Sequence, residues 1–151
     1  MSARMNYYKA APAAMKAMMA LDEATKGLSV SPALRELIKM RVSQINGCAF
    51  CLNLHASDAR AAGVSQQQLD VLAAWRESPA FDAKERAALG WAEALTRVET
   101  TGAPDEDYQT LAAAFDEQER VELTLVITTI NAWNRFAVGF RSQHPVQQPA
   151  N

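Results

Sequence analysis

Apolar positions recur along this chain at three- and four-residue spacing, the signature of helices, and no stretch shows convincing strand alternation. The clearest run is Leu34, Leu37, Ile38, Val42 and Ile45. Ser31 and Pro32 supply its N-cap and first-turn proline, and Asn46-Gly47 supplies its stop, so the spacing predicts a helix between them. Gly63 closes the next helix. Just beyond it, Val64, Ser65, Gln68 and Leu69 have the spacing of a capping box with a hydrophobic staple, which starts another helix at Ser65. The same device returns as Asp82 with Glu85 and as Asp116 with Glu119, each behind a phenylalanine, Phe81 or Phe115. Pro104-Asp105 opens a shorter helix through Ala114, and Tyr7 to Lys26 reads as one Ala/Met-rich helix with Pro12 near its first turn.

Val121 to Ile130 is rich in β-branched residues, which on local propensity favours a strand. Its place behind an Asp-X-X-Glu cap, and its run into Asn131-Ala-Trp133-Asn134-Arg135-Phe136 without a turn signal, predict a continuous helix that is fully buried. A faint internal repeat aligns Ile45-Asn46 with Ile130-Asn131, and with them Arg35 with Arg120, Ile38 with Leu123, Met40 with Leu125 and Val42 with Ile127. In that register Cys48 faces Trp133, Cys51 faces Phe136 and His55 faces Phe140, so one copy carries polar chemistry and the other only packs. The expected fold is all-α, a helical bundle in a single domain over residues 1–151, with a tail frayed from Pro145.

A chain of 151 residues can bury about 68–70% of its unfolded surface, so it needs no covalent staple to fold. Its net charge of -2, with basic and acidic residues interspersed, carries no cationic stripe for a phosphate backbone, and nucleic acid is set aside as a partner. The start Met1-Ser-Ala-Arg-Met-Asn-Tyr-Tyr has no secretory apolar core, and no apolar run approaches the roughly 18 residues that span a bilayer. The expected compartment is the cytoplasm, where cysteines rest as reducible thiols.

Chemistry concentrates in one place. Cys48-Ala-Phe-Cys51, with His55 four residues on, holds both cysteines of the chain and one of its two histidines. At a helix start, the free backbone amides and the positive end of the helix dipole lower a thiol's pKa and favour the reactive thiolate. Cys51 falls near the third helical position and His55 lies one turn later on the same face, placed to exchange protons with the thiol pair. Glu36 sits twelve residues before Cys48 on the helix that leads into the site, and an antiparallel return brings it within reach of the imidazole. A carboxylate on one ring nitrogen would fix the tautomer and raise the basicity of the other, although a solvated helix charge is the commoner fate of such a residue.

Metal is the competing reading. Cys48, Cys51, His55 and Glu36 supply four candidate zinc ligands, but a structural zinc site ordinarily has a second Cys/His pair at its own spacing, and none exists here. Covalent haem attachment needs histidine directly after the second cysteine, where this chain has Leu52. A structural disulfide gains little, because the loop it closes is short. Thiol redox chemistry is therefore favoured, with no metal and no cofactor expected.

The order Glu36, Cys48-X-X-Cys51, His55 in a helical chain of this size resembles the alkylhydroperoxidase D branch of the carboxymuconolactone decarboxylase-like superfamily. The resemblance covers most of the chain and is strongest from Glu36 to His55. It implies an all-α fold assembled as a homo-oligomer, a trimer or a hexamer, with the site near subunit contacts. It also implies thiol peroxidase activity on a hydroperoxide substrate, with a dithiol or protein reductant to restore the thiols. In the mechanism so implied, Cys51 attacks the peroxide and passes through a sulfenic acid, Cys48 resolves it to a disulfide, and His55 and Glu36 relay protons. Helix electrostatics alone would not assign those two roles, since the more N-terminal thiol of a Cys-X-X-Cys is often the nucleophile. The chain departs from the best-characterised members at Phe50, which stands where they carry a second histidine and cannot transfer a proton. A general thiol-disulfide oxidoreductase and a non-enzymatic redox-sensing module are the rival expectations.

The remaining candidates read as packing. Trp75, Trp91 and Trp133 suit a core or subunit interface, with pocket lining as the second reading for Trp133-Asn134-Arg135. Met15, Met18 and Met19 suit an apolar seam, with lining of a site for a hydrophobic peroxide as the second reading, and His144 beside Pro145 suits a solvated tail.

Overall fold

The structure, a computed structural model, describes residues 2–146. Among these residues every regular element is helical: α1 (Tyr7–Ala10), α2 (Pro12–Lys26), α3 (Pro32–Asn46), α4 (Ala49–Ala61), α5 (Gln66–Val71) with a 3-10 turn at Leu72–Ala74, α6 (Ala83–Thr96), α7 (Val98–Thr101), α8 (Asp105–Ala114) and α9 (Glu117–Phe140). The capping signals place the starts of α3, α5, α6 and α9 correctly. Ser65, Asp82 and Asp116 each form a full capping box, their side chains accepting from Gln68, Glu85 and Glu119 N–H while those residues' side chains reach back to the cap amide.

Two readings need correction. Tyr7 to Lys26 is two helices, because Ala11 precedes proline and the clash with the pyrrolidine ring drives it out of the α region, to φ −139° and ψ 67°. The segment from Val121 to Ile130 is helical but not fully buried: Leu123, Val126, Ile127 and Ile130 face the core, while Val121 and Thr128 are exposed. The faint repeat is not confirmed: of the aligned segments, α3 stops at Gly47 where α9 runs on to Phe140. Most of the tail expected to fray lies outside the described residues.

α3 is the hub, packed against α4, α6 and α9. Its positions Leu34, Ile38 and Val42 face a core shared with α6, α8 and α9, where Ala88, Leu111, Leu123 and Ile127 are all buried. Leu37 and Met40, turned roughly a third of the way round, face a second core of Ala59, Leu72, Trp75 and Leu89. Fully burying one such aliphatic side chain contributes about 1.5–3 kcal/mol. The third face of α3 is polar yet buried: Glu36, Lys39 and Ser43 fall at i, i+3 and i+7. From that stripe Glu36 meets His55 of α4, and Ser43 Oγ accepts from Asn134 Nδ2 of α9.

Candidate active site

The site forms at the corner where α3 gives way to α4. Gly47 ends α3 in the left-handed region at φ 65°, a conformation cheap only for glycine, and Cys48 N–H donates to Ser43 O at 3.0 Å. Cys48 then serves as the N-cap of α4, its Sγ accepting from Cys51 N–H at 3.3 Å. The two cysteines are joined in a disulfide with Cα atoms 5.3 Å apart. Both are buried and pack with Phe50 against Ala137 of α9, whose small side chain admits them.

His55 lies one turn beyond Cys51 and is buried, as expected of an i+4 neighbour. Its Nδ1 is 2.9 Å from Glu36 Oε2, so the antiparallel return of α4 along α3 brings imidazole and carboxylate together. Glu36 is only 5% exposed and is not the solvated helix charge that residue type usually makes. Its other oxygen accepts from Lys39 Nζ at 3.1 Å, with Arg35 Nε at 3.8 Å. Burial alone would push the Glu36 carboxyl up, but the His55 hydrogen bond and the Lys39 charge outweigh it and hold it below the usual carboxylate range. Glu36 is therefore ionised at neutral pH, and a carboxylate on Nδ1 leaves Nε2 as the ring nitrogen free for proton exchange.

The four expected residues are thus assembled, and three of them, Cys51, His55 and Glu36, line two neighbouring cavities. Cys51 opens onto an apolar cavity of about 240 Å³, walled by Tyr7, Tyr8, Phe50, Leu54 and Trp133 among others. Glu36 opens onto a polar cavity of about 510 Å³ with Arg35, Lys39 and Asp58. His55 lines both, together with Asp22 and Leu54. Cys48 does not line the apolar cavity, an asymmetry between the two sulfurs that the sequence does not reveal.

For a metal, the assembled donors differ from the set the sequence suggested. Each cysteine sulfur is bonded to the other. Glu36, His55 and Asp58 bring ligand atoms within 4.8 Å of one another, but the Lys39 ammonium already provides a cation beside the buried carboxylate. Asp58 itself is half-exposed, 3.7 Å from His55 Nδ1. These donors suit a proton relay better than an ion cage.

A model of the Carboxymuconolactone decarboxylase family matches residues 12–94. This chain belongs to that family. It is 44% identical over 138 residues to the uncharacterized protein YdfG of Bacillus subtilis (strain 168), covering 91% of this chain and 94% of YdfG. The crystal structure of ATU0492 from Agrobacterium tumefaciens, a protein of unknown function named as a candidate AhpD antioxidant defence protein, superposes with a TM-score of 0.94. It is 48% identical, with 97% of this chain and 100% of that one covered. The debrominase Bmp8 shares the fold at 24% identity and a TM-score of 0.75, over 84% of this chain and 68% of its own.

Several residues around this site escaped the sequence reading. Lys39 is three residues after Glu36 and Asp58 three after His55, same-face spacings that were visible but carry no chemistry until the partner helix is placed. Tyr7 and Tyr8 give no such signal, because their helix is far from Cys51 in sequence. Trp133 and Met19 line the cavity, whereas Trp75 and Trp91 are buried and Met15 is in the core.

Proposed function

We propose that this chain is a thiol-dependent peroxidase. The observation that supports the reading best is that Cys51 alone of the two cysteines lines the apolar cavity, beside a histidine whose other face is held by a buried, ionised glutamate. In the reduced protein, His55 takes the Cys51 proton. The thiolate attacks the distal peroxide oxygen, an S–O bond forms as the O–O bond breaks, and the departing alkoxide takes the proton back from His55 to leave as an alcohol. Cys48 then attacks the resulting sulfenic sulfur, the S–S bond forms, and the displaced hydroxide leaves as water with the Cys48 proton. One peroxide and two thiols thus become one alcohol, one water and one disulfide; an external dithiol supplies the two electrons and two protons that restore the thiols.

The disulfide between Cys48 and Cys51 is the oxidised end of this cycle. Homo-oligomeric assembly, as a trimer or hexamer, and a cytoplasmic location belong to the same proposal. The fold neighbour that is a debrominase makes reduction of another electrophile by the same dithiol the alternative reading.

The test is hydroperoxide consumption with a dithiol donor by wild type, Cys51→Ser and Cys48→Ser, with free thiols counted in parallel. Wild type should turn over, Cys51→Ser should not, and Cys48→Ser should accumulate a sulfenic acid. No consumption by wild type would sink the proposal, and full activity in Cys51→Ser would reverse the roles. Faster reduction of a disulfide than of any peroxide would assign a general thiol-disulfide oxidoreductase instead, and a change of assembly with oxidation but no turnover a redox-sensing module.

A further inference from the structure

The wall facing Cys51 is aromatic, and it comes from the two ends of the chain. Tyr7 and Tyr8 on α1 and Trp133 on α9 all lie outside the residues that match the family model. The rings of Tyr8 and Trp133 have centroids 6.4 Å apart and lie within 23° of parallel, while Tyr7 stacks on Tyr8 at 4.8 Å. Tyr7 is braced from behind by Phe136 and Phe140, with centroids at 5.5 and 5.3 Å, and its hydroxyl lies 3.2 Å from Ser142 Oγ. The segment before it is tied to the end of α9 by two bonds from Arg4, its N–H to Phe140 O at 3.0 Å and its Nη1 to Gly139 O at 2.8 Å. The ring faces are therefore held in place, while Tyr8 is still 45% exposed and open to a ligand.

Size and charge narrow what fits. A cavity of about 240 Å³ falls below the roughly 300–1,000 Å³ of sites for drug-sized ligands, which suits a single ring with a short branch. Flat ring faces favour stacking or edge contact with another ring. Asp22 is the charged carboxylate among the lining residues, with His55 and the hydroxyl-bearing Tyr7 and Tyr8 as further polar side chains, and no lysine or arginine lines the cavity to meet an anion. A carboxylate-bearing hydroperoxide is repelled by Asp22, and hydrogen peroxide leaves the ring surfaces unfilled.

We propose that this cavity selects neutral, ring-bearing organic hydroperoxides, with Tyr8 and Trp133 as the specificity-determining faces. This rests on the peroxidase reading: the ring packs in the cavity against the Tyr8–Trp133 wall rather than between its two rings, the distal oxygen is transferred to Cys51, and the peroxide leaves as the aryl alcohol while two thiols become a disulfide and water.

Two measurements on the full chain test it. The first is oxidation of reduced protein by cumene hydroperoxide, tert-butyl hydroperoxide, a fatty-acid hydroperoxide and hydrogen peroxide, for wild type, Tyr8→Ala and Trp133→Leu. The second is binding of 2-phenylpropan-2-ol, the alcohol product, to the oxidised protein, against tert-butanol, by ligand-detected NMR. Wild type should favour cumene hydroperoxide about tenfold over the other three, and each variant should lower the cumene-to-hydrogen-peroxide ratio by about tenfold, the scale of an aromatic contact. Tyr8 is exposed enough that its variant should fold even where Trp133→Leu does not.

Equal rates with all peroxides in wild type would overturn the proposal, as would an unchanged ratio in Tyr8→Ala accompanied by a change in assembly size, which would make this wall an interface between copies. If no peroxide oxidises the protein, the peroxidase reading fails and binding decides alone. Saturable binding of the aryl alcohol that is weakened in Tyr8→Ala then supports the ring site, and no binding overturns it.

Discussion

Glu36 Oε2 lies 2.9 Å from His55 Nδ1, and this contact between α3 and α4 joins a buried carboxylate to an imidazole that reaches the thiol cavity. The carboxylate holds the ring by one nitrogen, while the Lys39 ammonium at 3.1 Å offsets the cost of burying its charge.

Glu36→Gln keeps the shape but removes the charge that orients and polarises His55. The rate of Cys51 oxidation by a saturating hydroperoxide should fall by about tenfold to a hundredfold, at or below the low end of general acid–base effects. Stopped-flow fluorescence on reduced protein would measure it, with far-UV circular dichroism as a check on folding. An unchanged rate would remove Glu36 from the relay.

Glu93 should govern stability rather than reactivity. It is buried and accepts from Arg41 Nε at 2.6 Å, from Trp75 Nε1 at 3.0 Å and from Arg76 Nη1, linking α3, the 3-10 turn and α6. Burial pushes its carboxyl up, but the bonds from Arg76, Trp75 and Arg41 prevail and hold it below the usual range. A depressed folded-state value means that the contribution is fully present above the ordinary glutamate value of about 4.3 and is lost as pH falls through the lowered one. Glu93→Gln should cost about 2–4 kcal/mol at pH 7. The difference from wild type in urea unfolding should shrink as the pH falls through that lowered value; a constant difference would contradict the assignment.

Gly47→Ala isolates the turn that delivers Cys48. A Cβ there would meet no heavy atom within 4 Å, so the cost is conformational, from φ 65°. It should be about 1 kcal/mol by urea titration, and Gly47→Asn should cost less, since asparagine tolerates this cap. A loss of several kcal/mol would show that the turn is constrained by more than backbone preference.

Asp116→Ala removes an exposed cap from the 24-residue helix α9. The expected loss is about 1 kcal/mol, read as a lower midpoint of thermal unfolding. Because Glu119 caps Asp116 N–H in return at 3.0 Å, the double variant with Glu119→Ala should lose less than the sum of the single losses. Additive losses would mean that the two bonds form independently.

Helix starts were legible in the sequence because capping is a local contest: Ser65, Asp82 and Asp116 meet amides three residues away. The two short elements Leu72–Ala74 and Val98–Thr101 were not, since one or two turns leave too little periodicity to read. The full burial expected of Val121 to Ile130 failed for a related reason. Composition reports how apolar a helix is, whereas packing against α3 and α6 decides which of its faces is covered.

At the site, the sequence by itself determined the all-helical class, the helix break at Gly47 and the spacing that puts Cys51 and His55 on one face, all set by forces acting within a few residues. Only the tertiary structure decided that Glu36 is buried against His55 with Lys39 beside it, that Cys51 rather than Cys48 opens onto a cavity, and that Tyr7, Tyr8 and Trp133 close that cavity with rings. Those contacts join residues far apart along the chain, and they arise when α4 folds back along α3 and α1 meets α9. Burial then turns an ordinary helix carboxylate into the fixed partner of an imidazole.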